Sequence, residues 1–246
     1  MSQNSVTHDA TLEILQANLD SVRLRIQAAC ERSKRNPRDI HLVAVTKYAD
    51  WAWVQQLAKL HDQFGENRPQ QLIERQQQLG EIHWHLIGQL QRNKVRSVLP
   101  HCGLIHSIDS ARLFHKVCDV AIETGVSPDL LLQINISEEG SKSGFTKSEL
   151  LSVWEQLAEH RDKVNVKGFM TMAPANQDLQ QAADTFRGLS ELLETVNSVE
   201  GRVPETWPMD QLSMGMSGDF EVAIEEGATM IRVGSALFNG LAEAKS

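Results

Sequence analysis

From Pro37 onward the chain alternates short apolar runs with amphipathic stretches, and this alternation narrows the fold more than any other feature. The runs are 41–47 (HLVAVTK), a weak one at 63–66, then 83–88, 104–108, 130–136, 164–172, 211–214 and 229–233. Helix-like segments lie between them, for example 51–60, 111–124, 147–160, 177–196 and 219–226. Strands that alternate with helices imply a parallel sheet, because a parallel pair needs a crossover connection. About eight such units in roughly 210 residues fit a closed (β/α)8 TIM barrel of the α/β class. The competing doubly wound open sheet carries a GxGxxG fingerprint, which this sequence lacks. Ahead of the barrel, Leu12, Leu15, Leu19, Val22, Ile26 and Ala29 recur at spacings of three and four and predict an extra N-terminal helix. That helix stops near Asn36-Pro37, since proline disfavours helical geometry in the residue before it. Thr146 and Glu149 have capping-box spacing, and Gly227 suits a helix C-terminus. With no linker or internal repeat, residues 1–246 read as one domain.

Charge and cysteine usage narrow the function classes. Lys plus Arg number 24 against 32 for Asp plus Glu, a net charge of −8, with no basic tract. A general nucleic-acid binder and a polybasic membrane anchor are therefore not expected. No apolar run approaches the ~20 residues that span a bilayer, and MSQNSVTHDA is not a secretory leader. Cys30, Cys102 and Cys118 are an odd set without a CxxC, as expected in a reducing compartment. The expectation is a soluble cytoplasmic protein.

Three places can carry chemistry. Lys47 ends the first strand and shares a face with Val43 and Val45 by strand parity. In a barrel, the carboxyl ends of the strands hold the active groups, and a partly desolvated amine there can attack a carbonyl. The second place is 212–220 (LSMGMSGDF), where strand seven turns through small residues into a helix. The third is 230–236 (MIRVGSA), where strand eight turns through Gly234-Ser235 into another helix. Both turns expose backbone N–H groups and hydroxyls suited to a phosphate, and barrels often bind phosphate after strands seven and eight. A lysine nucleophile beside a phosphate cradle leaves two options. One is an aldolase-type enzyme forming an imine with a phosphorylated sugar. The other is a protein holding pyridoxal 5′-phosphate (PLP) as a Schiff base on Lys47, with Arg232 available to the pyridine nitrogen.

Several stretches resemble the pyridoxal phosphate homeostasis protein family, small PLP-binding proteins built on the barrel of alanine racemase without its second domain. They are VAVTK around Lys47, FGEN at 64–67, IHWHLIGQLQRNK at 82–94 and IHSIDS at 105–110. LLLQINISEEGSKSGF at 130–145, VKGFMTMAP at 166–174 and LSMGMSGDFEVAIEEGATMIRVGSALF at 212–238 follow in family order. The resemblance implies Lys47 as the lysine that carries PLP, with Asn67 near the cofactor. It implies Ser213, Gly234 and Ser235 at the phosphate, Met214 and Ser217 lining the site, and Arg232 at the ring nitrogen. A cation there disfavours protonation of the pyridine and weakens it as an electron sink, which suits a holder of PLP better than an enzyme. The implied role is intracellular vitamin B6 homeostasis without turnover, with PLP-dependent apo-enzymes as potential recipients.

Departures from the family pattern are Arg68-Pro69 in place of an aromatic after FGEN, Ser235 where threonine is common, and Gly218 where aspartate is frequent. The enzyme alternative is an amino-acid racemase or decarboxylase of the same fold type. Alanine racemase uses a tyrosine from its C-terminal domain as a second acid/base. A sequence ending at Ser246 leaves no room for that domain, so a monomer is expected. Its one tyrosine, Tyr48, should point away from Lys47 by parity. His85 is expected inside the barrel near the cofactor, and the His83/His85 pair lacks a third ligand for a metal. Trp51, Trp53 and Trp84 read as packing, Lys142 as a second anion contact, and Lys34, Arg35 and Arg38 as a solvated helix end.

Overall fold

The alternation resolves into parallel strands that close in chain order, the eighth returning to the first. The computed structural model describes residues 2–137, 143–174, 178–199 and 201–241, so Lys142 lies outside the described residues. The strands are β1 (His41–Val45), β2 (Gln63–Glu66), β3 (His83–Leu86), β4 (Leu104–Ile108), β5 (Asp129–Gln133), β6 (Asn165–Met170), β7 (Gln211–Ser213) and β8 (Met230–Val233). The helices are α1 (Ser2–Ser33), α2 (Trp51–Leu57), α3 (Pro69–Gln78), α4 (Val95–Val98), α5 (Ala111–Thr124), α6 (Lys147–Ala158), α7 (Leu179–Asn197) and α8 (Phe220–Glu225). Several strands are shorter than their apolar runs. Residues 46–47, 87–88 and 134–136 leave the ladder at the carboxyl end, where they form the mouth of the barrel. The capping box of α6 forms as expected, and Gly227 takes a left-handed φ of 105° after α8. The helix expected after β8 does not form. Residues 235–240 wind through turns closed by Leu237 N–H on Gly234 O at 2.9 Å.

Strand alternation separates two cores. Outward-facing strand side chains such as Phe64, Trp84 and Phe169 share one buried core with helix residues such as Trp154 and Phe186. Inside the barrel a smaller cluster joins Val43, Leu104, Leu131, Met170 and Met230. The remaining interior is polar: His85, His106, Ser213 and Arg232 are all buried. That mixture sets up the site, because buried polar groups must find partners.

The added helix is part of the core. Leu15, Leu19, Val22, Ile26, Ala29 and Cys30 of α1 are buried, and the helix packs against α2 and α8. Lys34, at φ 56°, ends it in the left-handed region. Its neighbour corrects the expectation of a solvated helix end. Arg35 folds back and Nη1 donates to the carbonyls of Ile224 and Ala228, each at 2.7 Å. One guanidinium thereby ties the end of α1 to the last turn of α8 and to the residue leading into β8, adding a charged donor to each carbonyl. Lys34 and Arg38 are exposed, as anticipated.

Arg35→Ala is accordingly expected to lower unfolding stability by about 1.5–3 kcal/mol, the loss of hydrogen bonds from a charged donor. Arg38→Ala should stay within about 0.5 kcal/mol of the parent. Urea denaturation of the two variants side by side checks the pair.

Candidate functional site at the barrel mouth

The site forms where β8 closes on β1. Val43 lies opposite Arg232 and Ala44 opposite Val233, so the ends of the two strands emerge side by side. Between them opens a cavity of about 470 Å³ lined by Lys47, Asn67, Ser217, Arg232, Gly234 and Ser235 among others. Six of the nine residues expected at the site therefore meet here.

Lys47 sits in a turn that is held from behind. The turn is closed by Ala49 N–H on Thr46 O at 2.9 Å. Arg75, one turn beyond Leu72 on the buried face of α3, donates to Thr46 O at 2.8 Å and to Ala49 O at 3.1 Å. Its charge is met by Glu66, which also accepts from the Thr46 hydroxyl. Glu66 is fully buried, and burial pushes its carboxyl above the usual range, against the pull of Thr46 and Arg75. The ion pair thus grips both ends of the segment carrying Lys47. Sequence reasoning missed Glu66 and Arg75. The available signal was an arginine on the apolar stripe of α3, three residues after Leu72.

Parity also fails for Tyr48. Once the strand ends at Val45 the side chains no longer alternate, and the Tyr48 ring turns toward Lys47, with Nζ 5.1 Å from its centroid. Tyr48 lines the cavity while remaining largely exposed. Trp53 is likewise more than packing, because it stacks on Phe238 at 6.4 Å and both rings line the opening. Trp84, by contrast, is core, tilted against Phe64.

Asn67 reaches the mouth because Gly88 has no side chain. A Cβ on Gly88 would lie 2.2 Å from Asn67 O, inside any tolerable contact. The Ser107 hydroxyl donates to Gly88 O at 2.7 Å and holds that approach from the other side. At the opposite wall, Gly234 N–H donates to the Ser217 hydroxyl at 3.1 Å, tying the turns after β7 and β8 together. A Cβ on Gly234 would press on Val45 O at 3.2 Å. Gly215 turns the chain at φ 89°, where a side chain would meet Phe220 Cα at 2.9 Å. The two corners are therefore built close to the cavity from backbone and hydroxyl groups.

Arg232 rises from the barrel interior to the floor of the cavity. Nη1 donates to Ser213 Oγ at 2.6 Å and Nη2 to Thr171 O at 2.9 Å. Burial lowers its pKa to about 10, with nearby Asp219 opposing the shift, so the guanidinium stays protonated at neutral pH. Burial raises the Asp219 carboxyl in turn, against the Met216 N–H and the Arg232 charge.

Three expected residues stand elsewhere, and strand geometry explains each. Ser213 faces the barrel interior below the mouth, where its hydroxyl is taken by Arg232 and by His106 Nδ1 at 2.8 Å. It does not line the cavity at the turn. Met214, the next residue, faces the outer core and is fully buried there. His85 is inside the barrel as expected, but deeper than the cavity, bonded to His106 at 3.0 Å and to Gln63 at 2.8 Å. Among the described residues, no group of three His, Cys, Asp or Glu side chains has a metal-holding arrangement. Nor is any described helix long and apolar enough to cross a membrane.

Comparison with known proteins gives a consistent picture. Residues 17–241 match the family model described as the N-terminal domain of alanine racemase. A "Pyridoxal phosphate homeostasis protein" of Aquifex aeolicus is 34% identical over 223 residues, covering 89% of this chain and 95% of the relative. PipY of Synechococcus elongatus, solved with PLP bound, superposes with a TM-score of 0.75 at 32% identity, over 92% of this chain and 100% of that one. Alanine racemase of Clostridium difficile shares the fold, with a TM-score of 0.71 at 14% identity over 95% of this chain and 58% of the racemase.

Two measurements test the geometry. Glu66→Ala and Arg75→Ala should each cost about 3–5 kcal/mol, since either leaves a buried charge uncompensated, and the double variant should cost less than their sum. Additive losses in denaturant would show the pair to be uncoupled. Burial also holds His61, His85 and His106 below the ordinary histidine value, His85 at about 3. The unfolded chain takes up these protons near pH 6.5 and the folded one does not. Stability should therefore fall as pH drops below about 6.5, by up to about 1.4 kcal/mol per pH unit for each histidine. A urea midpoint that is flat between pH 7 and 5.5 would contradict this.

Proposed function

Because the chain belongs to the pyridoxal phosphate homeostasis protein family, we propose that it binds PLP covalently and reversibly through Lys47 and serves to hold that cofactor rather than to turn over a substrate. One observation carries the proposal. A single cavity joins a half-buried primary amine, two corners of backbone and hydroxyl groups, and a buried guanidinium, the donor set that an anionic pyridine aldehyde requires. The corners suit a phosphate, because the Ser217 hydroxyl accepts from Gly234 N–H and so keeps its own proton to donate. When bound, PLP supplies an aldehyde that condenses with a primary amine, one water leaving.

The protein's own groups then have distinct roles. Lys47 presents the amine on a turn that Arg75 and Glu66 hold in place. Ser217, Gly234 and Ser235 would hold the phosphate, with Asn67 among the groups available to the ring. Trp53 and Phe238 would exclude water from one rim. Arg232 would supply a cation to the ring nitrogen, which disfavours its protonation and with it carbanion chemistry. The Ser213, Met214 and His85 side chains take no direct part. Recipients are apo-enzymes that need PLP, met by a cytoplasmic monomer whose three cysteines are free thiols.

The racemase reading gains one observation, since Tyr48 lines the same cavity. It does not gain a second face. Two-base racemisation needs acid/base groups on opposite sides of the substrate, and Tyr48 stands on the same turn as Lys47. The fold likeness to alanine racemase at 14% identity therefore brings no activity with it.

Protein purified in the presence of PLP should absorb in the visible, and borohydride followed by peptide mass spectrometry should place the pyridoxyl group on Lys47. Lys47→Ala should lose the band yet keep weaker, non-covalent binding through the phosphate corners. Label on another lysine, or none, would overturn the assignment. Arg232→Ala should change the spectrum more than the retention of PLP. Release of D-isomers or amines from L-amino acids at about 1 s⁻¹ or faster would establish an enzyme instead.

A further inference from the structure

The barrel interior holds a line of side chains that the binding of PLP does not by itself require. Arg232 Nη1 lies 2.6 Å from Ser213 Oγ, which lies 2.8 Å from His106 Nδ1. His106 Nε2 is 3.0 Å from His85 Nδ1, and His85 Nε2 is 2.8 Å from Gln63 Oε1. The line runs from the cavity floor through the closed strands to Gln63. There it borders a groove at the opposite end of the barrel, between His61 and Asp62 on one side and His41 on the other. His106 and Ser213 are fully buried and His85 almost so, so no group in the middle can turn to water.

The order of donors and acceptors can be worked out from valence alone. Arginine only donates, so Ser213 Oγ accepts from it. Burial lowers both imidazoles far below their ordinary pKa, with the Arg232 charge adding to the effect at His106, and each therefore carries one N–H at neutral pH. Two polarities remain. If His106 Nδ1–H donated to Ser213, the hydroxyl would accept twice and its own proton would have no acceptor among the described residues. The Gln63 amide would also have to reverse. If Ser213 donates to His106 Nδ1, then His106 Nε2–H donates to His85 Nδ1 and His85 Nε2–H donates to Gln63 Oε1. Every proton then has one acceptor. The second order avoids an unsatisfied buried hydroxyl, which costs about 1–3 kcal/mol.

We infer that Ser213, His106, His85 and Gln63 form a one-way hydrogen-bond relay that positions Arg232. Its polarity directs the Ser213 proton away from the guanidinium and leaves a serine lone pair as the partner of Nη1. Thr171 O takes Nη2, so two donors are spent inside the barrel and the plane of the group is set. The remaining N–H groups are those presented to the cavity. Ser213, His106 and His85 act through Arg232 and touch no ligand. They are positioning residues. The effect on the cofactor rests on the reading of the cavity as a PLP site, whereas the polarity of the relay does not.

Two measurements test it separately. In the full-length protein labelled with ¹⁵N-histidine, both buried rings should show the Nε2–H tautomer and should not titrate between pH 5.5 and 8. Assignment comes from loss of one signal in His85→Gln and in His106→Gln. An Nδ1–H tautomer for either ring, or a midpoint near 6.5, overturns the relay whether or not PLP binds. In PLP-loaded protein, Ser213→Ala should shift the visible band in the same direction as Arg232→Ala, and Ser213→Thr, which keeps the hydroxyl, should restore it. Identical bands in all three Ser213 forms overturn the positioning role. Absence of any band in the parent protein would refute the PLP reading and leave the tautomer result standing.

Discussion

Where β1 and β8 pair, Val43 faces Arg232 across the ladder and Gly234 packs against Val45. This seam closes the barrel, and the candidate site depends on it. Residues nearly 190 positions apart in the chain, Lys47 and Arg232, reach one cavity because the eighth strand finds the first. Parallel pairing also points every strand's carboxyl end the same way, which collects turns after β1, β7 and β8 at one mouth. An open sheet of the same strands would leave β1 and β8 unpaired with each other and divide the amine from the turns after β7 and β8.

Two buried polar systems flank that seam, one on each face of the strands. Outside, Glu66 and Arg75 hold the turn that carries Lys47. Inside, Ser213 and the two histidines hold Arg232. Neither adds much net stability, since desolvating charges and polar groups offsets most of what their bonds contribute. Their value is geometric. A lysine on an exposed turn would sample many rotamers, and a guanidinium with free donors would rotate. Held from behind, the backbone of the Lys47 turn and the Arg232 guanidinium are restricted before any ligand arrives, which reduces the ordering cost of binding.

The same arrangement explains why a racemase fold can serve a holding role. The fold supplies a lysine and phosphate turns, and chemistry beyond that depends on which acid/base groups stand opposite. Here Tyr48 shares a turn with Lys47, and Arg232 brings a protonated guanidinium to the same cavity. On the proposed reading both features favour keeping an aldehyde bound over activating a substrate carbon.

Much of this was legible in the residues. Alternating periods gave the strand and helix order, and the boundaries of β2, β4 and α5 coincide with those read from the sequence. Lys47, Arg232 and the Gly234-Ser235 corner were found from strand ends and turn chemistry, which are local properties. Parity failed at Tyr48 because the ladder stops at Val45, and the resemblance put Ser213 and Met214 at the cavity although one faces the barrel interior and the other the outer core. Those endings depend on neighbouring strands. Glu66 and Arg75 could not be paired from their spacing alone, since the contact forms only when α3 packs back on β2. The relay through His85 and His106 needs four strands to face one interior. The sequence by itself determined the repeating unit and the chemical groups at its ends, because period and turn preference act over a few residues. Only the closed barrel decided which groups meet, because a hydrogen bond such as that between His106 and Ser213, 107 positions apart, exists only after the strands have paired.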